Sequence, residues 1–244
     1  MTGTYRIADK SIEVVSIHSI VHEYCSAYVG ADPIDFSVRI TQSDIDFERE
    51  KSEREDRIEG IPIRLFSDAY LETLAVYRKI AEHMPEYDTF LFHGSCVAVD
   101  GVGYLFTAKS GTGKSTHTRL WRELLGERAV MVNDDKPLIR IADDGAVIYG
   151  TPWDGKHRLS SNISIPLKAI CILERAEENR IEQIFAREAY PMLLQQSYRP
   201  TNPVALTKTI KLIDRLTRNV KLYRLCCNME IGAAALSYGI MKEG

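Results

Sequence analysis

Residues 108–116 read Ala-Lys-Ser-Gly-Thr-Gly-Lys-Ser-Thr and follow directly on the apolar run Gly103-Tyr104-Leu105-Phe106-Thr107. A strand that runs into a glycine bend, then a lysine and hydroxyls at a helix start, constrains the fold more than any other feature of the chain. The glycines let successive backbone N–H groups close around a polyphosphate. The lysine adds charge, and a hydroxyl just inside the next helix can ligate Mg²⁺. The helix start contributes unpaired N–H donors and the positive end of its dipole. Such a junction belongs to an α/β fold, a mixed β-sheet with flanking helices and a P-loop. It points to nucleotide-dependent phosphoryl transfer.

The loop departs from the strict pattern in one place. Ala108 stands where the first glycine of G-x-x-x-x-G-K-[ST] belongs, and alanine disfavours positive φ, so the chain must enter the loop with a different backbone. The rest is intact, and Ser110, Gly111, Thr112, Gly113, Lys114, Ser115 and Thr116 are the candidate phosphate-binding residues. A bare glycine turn would need neither Lys114 nor the hydroxyls after it. Asp134 and Asp135 follow the buried strand 129–132. That is the carboxyl edge of the sheet, where a second element of a phosphate site is expected. One carboxylate can hold Mg²⁺ and the other can take a proton from an attacking hydroxyl.

Composition narrows the partners. The chain has 244 residues, 45% of them apolar, and a formal charge of −3. That balance gives no general attraction to nucleic acid or to an acidic membrane, so any anion site must be built locally. No signal peptide is legible, and no segment approaches the roughly 20 apolar residues of a spanning helix. A cytoplasmic location is expected. The five cysteines, at 25, 96, 171, 226 and 227, fit no zinc pattern and no disulfide framework. Nothing resembles a Ser-His-Asp triad or a nucleic-acid module.

Residues 1–88 read as a small α/β lead-in and 89–244 as the catalytic domain. In the lead-in, 12–17 and 37–40 are short strands and 68–82 is a helix. The charged run 46–59 is a solvated helix face or a mobile loop. In the second part, 90–107 is a hairpin turning at Asp100-Gly101. The stripe Leu120, Trp121, Leu124 and Leu125 marks the loop helix. Strands follow at 129–132, 138–141, 147–149, 168–173 and 222–225. Asn202-Pro203 starts a helix with the stripe Leu206, Ile210, Ile213, Leu216 and Val220. A short helix around Ala233–Ala235 ends the chain.

His93-Gly94, a hairpin, the loop 110–116 and Asn133-Asp134-Asp135 occur in the order and approximate spacing of HPr kinase/phosphorylase catalytic domains. Over roughly residues 90–175 the chain resembles that family, whose core is related to that of ATP-dependent phosphoenolpyruvate carboxykinases. The resemblance implies an HPr kinase/PEP carboxykinase-like core that uses ATP and Mg²⁺. Lys114 would contact the β- and γ-phosphates, and Ser115 would help hold Mg²⁺. Asp134 would be the base toward a serine hydroxyl and Asp135 a metal ligand, although the two aspartates could exchange roles. His93 would sit near the transferring phosphate. The chain is shorter than the full kinases, and Thr116 replaces an acidic residue common in them. It looks closer to short HPr-kinase-like proteins, some of which phosphorylate serine on precursor peptides.

The segment Gly150-Thr151-Pro152-Trp153-Asp154-Gly155-Lys156-His157-Arg158 is the other candidate. Lys156 and Arg158 could clamp the transferring phosphate. Trp153 could line a pocket or anchor a surface loop. His117 and Thr118 could face a nucleotide base or simply pack. The expected partners are a nucleotide and a hydroxyl acceptor on a peptide, protein or small molecule, and homo-oligomerisation stays open. A small-metabolite kinase and a non-catalytic nucleotide-binding regulator remain as alternatives.

Overall fold

The computed structural model describes residues 1–31, 33–155 and 157–243, in two compact units, Met1–Glu82 and His83–Gly244. In the first unit, β1 (Thr2–Ile7) and β2 (Lys10–Val15) form an antiparallel hairpin. The intervening Ala8 and Asp9 both adopt positive φ, 49° and 62°, the backbone that matches the twist of paired strands. After α1 (Ile20–Tyr24), β3 (Phe36–Arg39) joins β2 in parallel. The helices α2 (Gln42–Glu59) and α3 (Asp68–His83) complete the unit.

The charged run proves to be helical. The Asp44 carboxylate accepts from the Thr41 backbone N–H at 2.9 Å and caps α2, and Gly60 ends it at φ 69°. Two of its acids are buried rather than solvated. Glu48 pairs with Arg78 of α3, and Asp56 accepts from the Arg64 guanidinium at 2.6 and 2.9 Å and from the Arg64 N–H at 2.7 Å. Buried carboxylates persist only with such partners.

The second unit holds a mixed sheet of nine strands among the described residues. β5 (Ser95–Val99) and β6 (Val102–Thr107) form the expected hairpin, with Asp100 and Gly101 at φ 52° and 83°. The helix α4 (Lys114–Leu125) leads to β7 (Ala129–Asn133), which pairs with β5. β5 is antiparallel to both β6 and β7, so β6 and β7 run the same way. β10 (Ser164–Arg175) is parallel to β6, and β12 (Lys221–Cys227) is parallel to β10. The carboxyl ends of β7, β6, β10 and β12 therefore meet at one edge, in that spatial order, with the start of β5 between the first two. β4 (Thr89–Leu91), β8 (Leu138–Ile141) and β9 (Ala146–Tyr149) extend the sheet beyond the first residues of β10, and β11 (Arg180–Gln183) pairs with β12.

Alternation along the strands sends side chains to two faces. Val97, Val99, Tyr104, Phe106, Cys171 and Leu173 pack with Trp121 of α4 and with Ala234 and Met241 of α7 (Ile231–Glu243). Cys96, Leu105, Ile170 and Leu222 pack with Leu193 of α5 (Ala186–Gln196) and with Leu212, Ile213 and Leu216 of α6 (Pro203–Asn219). The stripe expected on α6 is partly displaced. Ile210 lies outward and Thr209 inward, with its hydroxyl donated to the Ala205 carbonyl at 2.9 Å. Asn202 caps α6 as its sequence implies, accepting from Val204 N–H at 2.9 Å and Ala205 N–H at 3.2 Å. Leu91 is the end of a separate strand, β4, rather than the entry to the hairpin. No helix among the described residues is long and apolar enough to cross a membrane.

Candidate functional site

The loop between β6 and α4 takes its shape from two glycines, Gly111 at φ 75° and Gly113 at φ 121°, conformations that L side chains rarely adopt. Ala108 is not among the positive-φ residues and is fully buried, so the chain enters the bend on ordinary backbone. The Arg175 guanidinium, at the end of β10, donates to the Gly111 carbonyl and, at 3.3 Å, to the Thr112 carbonyl. The bend is thus fastened from outside. Lys114, the first residue of α4, is buried, and its Nζ donates to the Ala108 carbonyl at 3.2 Å. Burial pulls the Lys114 pKa down, and the nearby Asp135 partly restores it. An anion placed beside this ammonium would relieve its desolvation.

Across the edge, Asn133 closes β7. Its Oδ1 accepts from Asp135 N–H at 2.8 Å and Lys136 N–H at 2.7 Å, and its Nδ2 donates to the Thr151 carbonyl and hydroxyl, both at 3.1 Å. This side-chain turn fixes how the two aspartates leave the sheet. Asp134 is buried, and its Oδ1 accepts from Ser95 Oγ at 2.6 Å. Ser95 Oγ lies 2.8 Å from Thr118 Oγ1. Burial raises the Asp134 pKa and the Asp135 charge adds to the rise, while hydrogen bonds from Ser95 and Ser115 oppose it. Asp135 Oδ1 lies 3.3 Å from His93 Nε2 and 3.2 Å from Lys136 Nζ. Burial holds the His93 pKa well below the ordinary histidine value, helped by the charges of Lys136 and Lys114 and opposed by Asp135. The imidazole is therefore neutral near pH 7.

His93, Ser110, Gly111, Gly113, Lys114, Ser115, Thr116, Asp134 and Asp135 line one cleft of about 450 Å³, completed by Gly155 and His157. Of the loop residues expected to hold phosphate, Thr112 lines a neighbouring pocket instead. Lys156 lies outside the described residues, and its neighbours Gly155 and His157 reach the cleft wall. Trp153 is packed in the interior, 6% exposed. Arg158 is exposed, with Nε 3.8 Å from Asp154 Oδ1. His117 and Thr118 are buried. The sequence alone does not single out Ser95, Lys136 or Arg175, whereas His157 belongs to the candidate segment 150–158. Lys136 carried a signal, since it directly follows the acidic pair, but no local pattern marks Ser95 or Arg175.

The cleft can receive a chain of phosphates between a buried ammonium and two carboxylates. The groups facing it include oxygen donors suited to a hard divalent cation. Ser115 gives its proton to Asp134 and keeps its lone pairs, and Asp135 is half-buried on the same wall. Among the described residues no three His, Cys, Asp or Glu side chains are grouped to hold a metal by themselves. The phosphates would have to complete the cation's shell.

A family model described as "SynChlorMet cassette protein ScmC" matches residues 67–230. No curated protein matches the sequence. Among solved structures, the HPr(Ser) kinase/phosphatase from Coxiella burnetii is similar to 63% of this chain and 99% of its own, at 11% identity and a TM-score of 0.33.

Proposed function

The chain belongs to the SynChlorMet cassette protein ScmC family, and we propose that it is an ATP- and Mg²⁺-dependent kinase that phosphorylates a serine-type hydroxyl on a peptide or protein. The observation that carries this reading is one cleft shared by Lys114 at a glycine-shaped helix start and by Asp134 and Asp135 opposite. The motif resemblance over residues 90–175 supplies the acceptor class.

In this reading the acceptor hydroxyl gives its proton to Asp134, whose raised pKa makes it a better base than an exposed aspartate. The acceptor oxygen forms a bond to the γ-phosphorus. The bond from that phosphorus to the β–γ bridging oxygen breaks, and ADP departs with those electrons. Lys114 and the loop N–H groups balance charge on the phosphates. Ser115 and Asp135 would hold Mg²⁺, which draws charge from the β- and γ-oxygens. His93, neutral and against Asp135, keeps that carboxylate aligned without adding a second positive charge.

The test is mass spectrometry of candidate peptides and metabolites after incubation with Mg-ATP, with two variants alongside. Lys114→Ala is expected to weaken ATP binding and abolish transfer, a loss of at least about 2–3 kcal/mol of transition-state stabilisation. Asp134→Asn is expected to bind ATP and fail to transfer. Near-native turnover in Lys114→Ala would refute the assignment, and unchanged transfer in Asp134→Asn would move the base elsewhere.

A further inference from the structure

The first unit carries an apolar segment that the fold leaves uncovered. Gly60 ends α2, and residues 61–67 run back along that helix without joining a helix or a strand. Two contacts fasten the segment. Asp56 of α2 takes the Arg64 N–H and guanidinium, and the Arg49 guanidinium donates to the Phe66 carbonyl at 3.3 Å. Arg64 also lies over the Phe66 ring, 5.7 Å from its centroid, and Phe66 packs on Tyr70 at 5.1 Å. The residues between these anchors face the other way: Ile61, Ile63 and Leu65 are 39, 43 and 92% exposed. Alternation of held and outward residues is the period of an extended chain.

The backbone alternates in the same way. The Arg64 N–H and the Phe66 carbonyl are used toward α2, whereas the N–H and C=O groups of Ile63 and Leu65 have no partner among the described residues. Pro62, which has no N–H to offer, falls in the inward set and leaves the outward row intact. Its ring also disfavours helical backbone at Ile61. A row of open N–H and C=O groups beside apolar side chains is a template for another strand. The charge beside this row has one sign. Glu55 and Glu59, one turn apart on α2, are exposed, and neither has an ion-pair partner among the described residues. The Asp56 hydrogen bond raises the Arg64 pKa, and Glu59 and Glu55 lie close enough to add to the rise. Acids at i and i+4 repel each other, and Arg64 is already committed to Asp56.

We propose that this edge docks the acceptor polypeptide as an extended strand, with apolar residues at alternate positions and lysine or arginine between them. The proposal rests on the kinase reading above and gives its acceptor a chemical description. Ile63 exchanges both main-chain hydrogen bonds with the residue opposite, and Leu65 offers the next rung. The apolar residues of the acceptor cover Ile61, Ile63 and Leu65, and its cations reach Glu55 and Glu59. Main-chain pairing supplies affinity with little demand on sequence, and the alternate side chains supply preference. Charge decides between this occupant and a second copy of the chain. A second copy brings two more unneutralised carboxylates to the same edge, whereas a basic strand neutralises those present.

The experiment titrates the full chain, by fluorescence anisotropy, with a labelled synthetic peptide of alternating valine and lysine around one serine. A second probe has glutamate in place of lysine, and a third carries N-methyl groups on the valine amides that would face Ile63 and Leu65. Native protein is expected to bind the basic probe, and to bind the acidic and N-methylated probes at least about tenfold more weakly. Leu65→Ser, and Glu55→Gln combined with Glu59→Gln, are expected to weaken the basic probe several-fold and leave Mg-ATP affinity unchanged. All three side chains are exposed, so these substitutions spare the core. Equal affinity for the three probes, or variants that bind the basic probe as the native chain does, would overturn the proposal. A native dimer that Leu65→Ser dissociates, with no probe bound, would assign the edge to a second copy and overturn it too. Lys114→Ala should still bind the basic probe. Failure of the native chain to bind Mg-ATP would overturn the kinase reading while the peptide titrations judge the edge separately.

Discussion

Removing one hydroxyl should retune the proposed base. Ser95 is fully buried and Asp134 is 7% exposed, so in Ser95→Ala no bulk water replaces the 2.6 Å hydrogen bond to Asp134 Oδ1. Thr118, the other neighbour of Ser95, keeps the Lys114 and Ser115 carbonyls at 3.3 and 3.2 Å, so no second polar group is orphaned. A hydrogen bond to a charged group contributes about 1.5–3 kcal/mol. This one favours the carboxylate over the acid, so its loss should raise the Asp134 pKa by about 1–2 units, at 1.36 kcal/mol per unit. The native pKa is already raised, which means that folding favours the protonated form. That contribution is present below the unfolded-state value and vanishes as pH rises through the folded-state value. The stability gap between native and variant chains should therefore be small in acid. It should widen as pH rises through the titration of Asp134 and level off near the 1.5–3 kcal/mol of the lost bond, about. Urea unfolding across pH measures this without knowledge of the acceptor, and the acidic limb of phosphoryl transfer should move up by the same amount. A gap independent of pH, or an unmoved acidic limb, would refute the claim that Ser95 tunes an ionised Asp134.

Acid should also unfold the chain through His117. Burial holds its pKa down at about 4 against an ordinary value of 6.5, so the stability it contributes is present above the unfolded value and is lost as pH falls toward 4. The full loss is up to about 3 kcal/mol. Urea titrations at neutral and acid pH should show a shallower decline in His117→Gln than in native protein, and parallel declines would refute it. Arg175→Ala frees two loop carbonyls from an exposed side chain. The melting temperature should hardly move, while the KM for ATP should rise several-fold; an unchanged KM would show that the loop needs no external fastening.

What the sequence disclosed and what it concealed divide by the range of the contact. Gly111, Gly113, Lys114 and Ser115 are contiguous, and one bend followed by one helix start dictates their identities, so they were legible. The pair Asp134-Asp135 was legible for the same reason. Ser95 was not, because its place depends on register. It sits opposite Phe106 on one side, and its successor Cys96 sits opposite Asn133 on the other, so its partner Asp134 comes from a strand that returns only after α4. Arg175 depends likewise on the parallel pairing of β10 with β6. The helix α5 went unread because Pro191 lies within it, and proline argues locally against a helix interior. The misread stripe on α6 has a third cause: a threonine can turn inward when its hydroxyl finds a carbonyl one turn back, as Thr209 does with Ala205.

The same register explains why the cleft has the width it has. β5 is inserted between β6 and β7, so two interstrand steps, about 9–10 Å, separate the strand that ends in the phosphate loop from the strand that ends in the acids. Were β6 and β7 direct neighbours, Lys114 could close on an aspartate and neutralise the site. Instead, among the described residues, Lys114 makes no ion pair and spends its proton on the Ala108 carbonyl at 3.2 Å. The ammonium and the carboxylates are near enough to perturb one another's pKa values and too far apart to discharge. The hairpin turning at Asp100-Gly101 thus does more than deliver the chain to its loop: its first arm is the spacer that holds the strand ending in the loop apart from the strand ending in the acids.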